Sequence, residues 1–351
     1  MISEITARYT KGIPRAGRNN CYTDKSIYYD VYSERQKILL NMSINISGYY
    51  NLTLKQGELE FVDVKLDDDN ELFVSPQLIE NSTSRLMAPM RTLLGRYSGV
   101  LLYTIGQQNR PNAEYLLAGV SEPKETRLGY GIDNSDGRSA GRRVKGELID
   151  AIWNNPVIQQ KSINKISDLR LLITNFSVDR ISDTTTKVLK HYLIEFTQDQ
   201  CRKLGIPMKA VFQKDILNPT TLRWEHKNVE LPVYFDGITD KPIIFVPKDI
   251  VNRQGDGSSD MGYFFRFALN YVKSNDVAMF EHVQRSGKNN TLLVKDIKAS
   301  IDNTKQELSK WIVVHPGIMD EYWIASLNRI KQLTNAQIEQ IVYTDRGTRA
   351  A

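Results

Sequence analysis

Residues 167–207 read SDLRLLITNFSVDRISDTTTKVLKHYLIEFTQDQCRKLGIP, and the assignment of this stretch decides the fold. Leu169 to Ile173 reads as a short apolar strand, Val178 to Thr186 as an acid-bearing loop, and the remainder as one helix. Val188, Leu189, Tyr192, Leu193, Phe196 and Leu204 recur at helical spacing, with Lys187, Lys190, His191, Glu195 and Asp199 on the other face. Gly205-Ile206-Pro207 ends the helix, because glycine takes up the left-handed exit and proline cannot continue the ladder. Within the loop, Asp183 or one of the threonines suits the N-cap, accepting orphan backbone N–H groups. Asp179 and Arg180 suit the hydrogen bonds of a turn. The same residues admit a second reading in which Asp179 and Asp183 share a divalent cation. Mg²⁺ is held by one or two carboxylates together with substrate phosphates.

Working outward, the pattern predicts an α/β or α+β protein: a mixed sheet with flanking helices and a mainly helical C-terminal third. Three regions follow from composition: 1–120 (α+β), 121–272 (α/β, holding the candidate site) and 273–351 (helical). Leu59, Phe61, Val64 and Leu66, then Leu72-Phe73-Val74, read as two strands around the Asp67-Asp68-Asp69-Asn70 turn. Leu86, Met87, Met90, Leu93, Leu94 and Tyr97 predict a helix within 77–118, and Leu148, Ile149, Ile152 and Trp153 predict another. Met208 to Phe212 suits a strand. Residues 231–235 and 242–247 flank a Gly237 turn and suit a hairpin. Residues 254–260 read as a loop. Helices are expected at 263–272 and across 296–332, with Trp311 and Trp323 as anchors.

The chain has 351 residues, 41% hydrophobic content and a net charge of +5, enough for one large core and too weakly basic to imply nucleic acid by itself. No apolar run approaches the roughly 18 residues of a membrane span, and the polar N-terminus lacks a signal-peptide core. Two cysteines, Cys21 and Cys201, support neither a disulfide framework nor a thiolate zinc site. The expected setting is soluble and cytoplasmic. Charge is unevenly spread: residues 58–71 concentrate acids, while 138–145 carry Arg138, Arg142, Arg143 and Lys145 with no acid.

The glycine- and arginine-rich stretch 122–146 is the second candidate. Glycines let a backbone approach phosphate closely, and arginines grip phosphate oxygens in pairs. The spacing is neither a Walker loop nor a dinucleotide fingerprint, so a solvated surface loop is the plainer reading. The four histidines form no HxxxH or HExxH pair, and no GxSxG elbow occurs. A restriction-nuclease core is poorly matched at the 231–248 hairpin. Asp236 and Lys248 are present there, but Val246 stands where the second carboxylate is needed.

Asn70-Glu-Leu-Phe-Val-Ser-Pro76, Glu122-Pro-Lys-Glu-Thr-Arg-Leu-Gly129, Asp179-Arg-Ile-Ser-Asp183, Gly205-Ile-Pro207, Leu231-Pro-Val233 and Val246-Pro-Lys248 stand in a suggestive order. From about residue 58 to 250 the chain resembles an uncharacterised family of bacterial and archaeal proteins associated with mobile elements and anti-phage defence. That resemblance implies a prokaryotic, antiviral context and no mechanism. Ser75 and the Val144-Lys145 pair depart from the family pattern.

The leading expectation joins both readings as a nucleic-acid-engaging defence protein acting as a Mg²⁺-dependent nuclease. Asp179 and Asp183, with Glu122 and Glu125, are its candidate catalytic acids, the two aspartates being the metal ligands. Arg127, Arg138, Arg142, Arg143 and Lys145 are its candidate contacts to DNA or RNA. The alternative is a non-catalytic sensor or adaptor that binds a phage protein or a partner subunit. A nucleotide binder using residues 129–146 ranks behind both.

Overall fold

Ser177, rather than Asp183, starts the central helix. Its hydroxyl accepts the Arg180 N–H at 3.2 Å, Asp179 sits in the first turn, and Arg202 and Lys203 sit in the last. Gly205 closes the helix at φ 67° while Ile206 N–H returns to the Cys201 carbonyl. The helix therefore runs unbroken over Val178–Leu204, and the expected loop at 178–186 is its first two turns. Three consecutive threonines weaken a helix by only a few tenths of a kcal/mol each, less than packing returns. Thr184, Thr185 and Thr186 are all buried. Thr184 and Thr185 satisfy their hydroxyls on the Arg180 and Ile181 carbonyls. The strand expected at Leu169 to Ile173 is also helical, over Leu169–Leu172. An apolar run this short carries no period that separates a buried turn from a buried strand.

The computed structural model describes residues 44–68, 70–129, 149–163, 165–174, 176–253 and 261–344. By contact the chain divides into Met1–Met42 and Ser43–Ala351, and every described residue belongs to the second unit. The regions read from composition are, from residue 43 onward, stretches of that one unit.

In chain order the helices are α1 (Ile46–Tyr49), α2 (Pro76–Glu80), α3 (Ala88–Gly106), α4 (Arg110–Leu117), α5 (Pro156–Gln159), α6 (Leu169–Leu172) and α7 (Val178–Leu204). They continue with α8 (Met261–Asn275), α9 (Val294–Ala299), α10 (Thr304–Val314), α11 (Gly317–Ser326) and α12 (Asn335–Val342). The strands are β1 (Phe73–Val74), β2 (Lys209–Leu217), β3 (Trp224–Leu231), β4 (Val233–Phe235), β5 (Asp240–Pro242) and β6 (Val251–Asn252). The class is mixed α and β with a helical C-terminal part, as the patterning predicts. Among the described residues the strands pair as three two-stranded antiparallel ladders: β1 with β6, β2 with β3, and β4 with β5. Residues 59–66 add isolated bridges and not a ladder of their own.

Helix α7 is the axis of the described unit, packing against α3, β1 and β2. Leu189, Leu193, Phe196 and Cys201 enter the core beside Leu94, Tyr97 and Leu101 of α3. The extended segment 243–248 is pinned on two sides. Ile244 N–H reaches the Glu125 carbonyl at 2.9 Å, and Lys248 N–H the Glu60 carbonyl at 3.1 Å. Phe245 stacks on Phe61 with centroids 4.2 Å apart. Beyond residue 260, Phe264, Phe265, Phe280, Tyr322 and the expected anchor Trp311 build an aromatic cluster. No helix among the described residues is long and apolar enough to cross a membrane.

The β2–β3 hairpin docks where Trp224 donates its indole N–H to the Leu116 carbonyl at 3.0 Å. A Cβ on Gly119 would lie closer than 3.0 Å to three carbons of that indole. Gly119→Ala is therefore expected to destabilise the protein by about 2 kcal/mol, the usual scale of overpacking. A urea midpoint unchanged from the parent would show that the ring yields instead.

Candidate functional site

On α7, Asp179, Asp183 and Lys187 recur every four residues, so their side chains stack on one face, with Lys190 in the next turn. The facing wall is the segment 122–129, held by Asn70. Asn70 donates its side-chain amide to the Arg127 carbonyl at 2.9 Å and its backbone N–H to the same oxygen, while Gly129 N–H returns to the Asn70 carbonyl. Arg127 at φ 57° and Gly129 at φ 121° bend the segment over the helix. The second wall is β2, where a register shift between Gln213 and Ile216 puts Asp215 at φ 53°. The bulge brings the Asp215 carboxylate to 4.0 Å from Lys187 Nζ and the Lys214 carbonyl to 3.1 Å from Lys190 Nζ.

The acids of this face differ in electrostatics. Burial raises Asp183, and the like charges of Asp179 and Glu122 raise it further against a smaller opposing pull from Lys187, to about 8. Glu125 behaves oppositely. Burial would raise it, but Lys190 at 2.8 Å and then Lys187 outweigh that cost and hold it below the ordinary carboxylate range. The face thus carries one carboxyl that stays protonated at neutral pH and one that stays charged.

Of the expected site residues, Asp179 and Glu122 lie near enough to Asp183 for their like charges to raise it. Glu125 adjoins them through Lys187 but is tied to Lys190 as an ion pair. Arg127 turns its guanidinium to the Tyr234 hydroxyl and lies 5.1 Å from that ring's centroid. Arg138, Arg142, Arg143 and Lys145 lie outside the described residues. Lys187 and Lys190, assigned above to the solvent face, are 3% and 2% exposed and belong to the site. The four-residue stacking of Asp179, Asp183 and Lys187 was the available signal. Asp215 and Asn70 gave none, because a bulge and a cross-chain clamp leave no local pattern. Asp236, weighed above for a nuclease hairpin, accepts the Ile238 and Thr239 N–H groups of its own turn.

Among the described residues no group of three or more His, Cys, Asp or Glu side chains is placed to hold a metal ion. Mg²⁺ in phosphoryl chemistry needs only one or two carboxylates, water and substrate oxygens completing its shell. Asp179 and Asp183, one helical turn apart and repelling one another, offer such a pair of carboxylates, while Glu122 adds a like charge nearby and not a third ligand. Gly129 carries part of this arrangement, since a Cβ there would sit 3.0 Å from Asp179 Oδ1 at a backbone angle L-residues resist. Gly129→Ala is expected to cost about 1–3 kcal/mol in backbone strain and to displace the Asp179 carboxylate. Thermal unfolding as stable as the parent's would contradict this.

A cavity of about 580 Å³ lies elsewhere, lined by Lys161, Lys165, Asp168, Met319, Trp323 and Leu327 among others. Asp168 accepts the Trp323 indole N–H at 2.6 Å. Burial raises Asp168 to about 7 and its buried neighbour Glu80 to about 8.

The family model described as "Domain of unknown function (DUF8370)" matches residues 51–257, more than half of the chain. No curated protein and no solved structure matches the chain. The match takes in Asn70, Glu122, Asp179, Asp183, Lys187, Lys190 and Asp215. The Met319–Leu327 wall of the 580 Å³ cavity falls outside it.

Proposed function

The chain belongs to the DUF8370 family, and we propose that within it the α7 face cleaves phosphodiester bonds with Mg²⁺, in a prokaryotic, cytoplasmic, antiviral role. The observation that carries this reading is the stacking of Asp179, Asp183 and Lys187 on one face of α7, with the like charges of Asp179 and Glu122 acting on the buried Asp183. Asp179 and Asp183 would hold the cation. A bound Mg²⁺ supplies positive charge to a phosphoryl oxygen and acidifies a water. Lys187 sets its ammonium against the same space and stabilises charge developing on a non-bridging oxygen. Lys190, Glu125 and the Lys214 carbonyl fix the helix against its two walls and so set the position of Lys187. The basic residues of 138–145 supply sequence-independent contacts to the DNA or RNA backbone.

The test uses purified full-length protein on single- and double-stranded DNA and RNA, in Mg²⁺ or EDTA, at two salt concentrations. Cleavage is expected in Mg²⁺ and not in EDTA, on a substrate whose binding weakens steeply with salt. Binding without cleavage removes the acid site from this reading. Neither binding nor cleavage moves the assignment to an adaptor that recognises a phage protein or a partner subunit.

A further inference from the structure

We propose that the N-terminus of α7 carries an oxyanion subsite, built to take one phosphate group, in the recess between Arg170, Asn252, Arg253 and Val178. The recess is lined by these four residues together with Phe73, Val74, Ser75, Pro76, Gln77 and Ile181. Its enclosed space is about 20 Å³, room for a single oxygen atom with the rest of the group at the mouth.

Three independent observations give the recess its polarity. Asn252 is 4% exposed, and its Nδ2 has no acceptor among the described residues. The amide cannot simply be turned over, because the Arg253 N–H donates to Oδ1 at 3.2 Å and fixes which end is which. A buried, unmet N–H donor costs about 1–3 kcal/mol unless something supplies a lone pair. Next, Val178 is the first residue of a 27-residue helix whose cap, Ser177, takes up the Arg180 N–H. No acceptor for the Val178 N–H is found among the described residues, and Val178 lines the recess, which places the positive helix end at it. Finally, the surroundings are cationic. Arg170 and Arg253 line the walls, and behind them Lys305 donates to the Arg170 and Ile173 carbonyls at 2.7 and 2.6 Å. Burial and then the Arg170 charge lower Lys305 to about 8. Asp179, in the same first turn, is directed to Gly129 on the other face of the helix.

Arg170, Val178, Asn252 and Arg253 all lie within residues 51–257, as the acid face does. The two sites share the first turn of one helix. Where the proposed phosphodiester chemistry operates, this subsite holds a neighbouring phosphate of the same strand. As a phosphate site it stands without that reading.

The experiment compares the parent protein with Arg253→Glu and, as a charge control, Lys331→Glu, both positions being exposed. Thermal unfolding is followed against inorganic phosphate, and binding of a short oligonucleotide is measured in EDTA. A phosphate-dependent rise in midpoint that Arg253→Glu abolishes and Lys331→Glu keeps supports a subsite open to free phosphate. No response to phosphate, with oligonucleotide affinity reduced about tenfold by Arg253→Glu and little by Lys331→Glu, supports an internucleotide phosphate as its occupant. Equal effects of the two variants, or none from either, overturn the subsite. Both assays run without Mg²⁺, so a failure of the cleavage reading leaves their outcome unchanged.

Discussion

Asp183→Asn is expected to do two opposite things at once: to lower Mg²⁺-dependent cleavage by at least about 100-fold, and to make the protein more stable at pH 8. The loss follows from removing a carboxylate proposed to hold the metal, since even the outer partners of metal ligands cost 10–100-fold when changed. The gain follows from linkage. In the folded protein Asp183 titrates at about 8, against an ordinary 3.8. Between those values the native state keeps a proton that the unfolded chain has released, so stability falls as pH rises from about 4 to about 8. Asparagine removes that dependence. The two proteins should therefore have similar stabilities near pH 4, and the variant should lead by about 2 kcal/mol at pH 8, discounting for partial solvent access. Urea unfolding at both pH values reads this directly. Equal stability of the two proteins at pH 8 would mean that Asp183 carries no such strain. The combination is diagnostic, because a residue placed only for folding does not stabilise the protein when removed.

Lys190→Ala should be the most damaging single substitution for stability on this face. The Lys190 side chain is 3% exposed, 2.8 Å from Glu125 and 3.1 Å from the Lys214 carbonyl. Taking it away strands a largely buried carboxylate, which costs about 3–5 kcal/mol when a buried pair is broken from one side. The paired change Lys190→Met with Glu125→Gln should recover all but about 1 kcal/mol, because both charges leave together. Glu125 also has the opposite pH sign to Asp183. Its lowered titration stabilises the fold above the ordinary carboxylate range, and that contribution is lost on acidification. A Lys190→Ala cost below 1 kcal/mol in urea unfolding would show the ion pair to be incidental.

The sequence made the helical face of residues 188–204 legible because packing and period agreed there, and Gly205-Ile206-Pro207 marked its end. It misplaced the beginning. Asp183 and the threonines are as good cap formers as Ser177, and only the downstream burial of Thr184 to Lys187 distinguishes them. That error hid the site's lysines. Once α7 starts at Val178, Asp179, Asp183 and Lys187 fall on one face, whereas a start at residue 183 left Lys187 and Lys190 for solvent. A lysine in a buried position is read as exposed whenever its counter-charge comes from elsewhere. Here Glu125 and Asp215 arrive from a loop and a β-bulge 65 and 28 positions away. The pairing of Glu122 with the two aspartates was visible only as a coincidence of acids in two motifs. Its cause, the clamp of Asn70 on residues 127–129, depends on tertiary contact.

The central proposal is that Asp179 and Asp183 together hold a divalent cation, and calorimetric titration of the full-length protein with Mn²⁺, as a stand-in for Mg²⁺, tests it between pH 6 and 9. Binding must displace the proton on Asp183, so the apparent affinity should rise by up to tenfold per pH unit and level off near 8. Asp183→Asn should abolish that binding. No binding at any pH, or an affinity flat from pH 6 to 9 and unchanged in Asp183→Asn, would contradict the account.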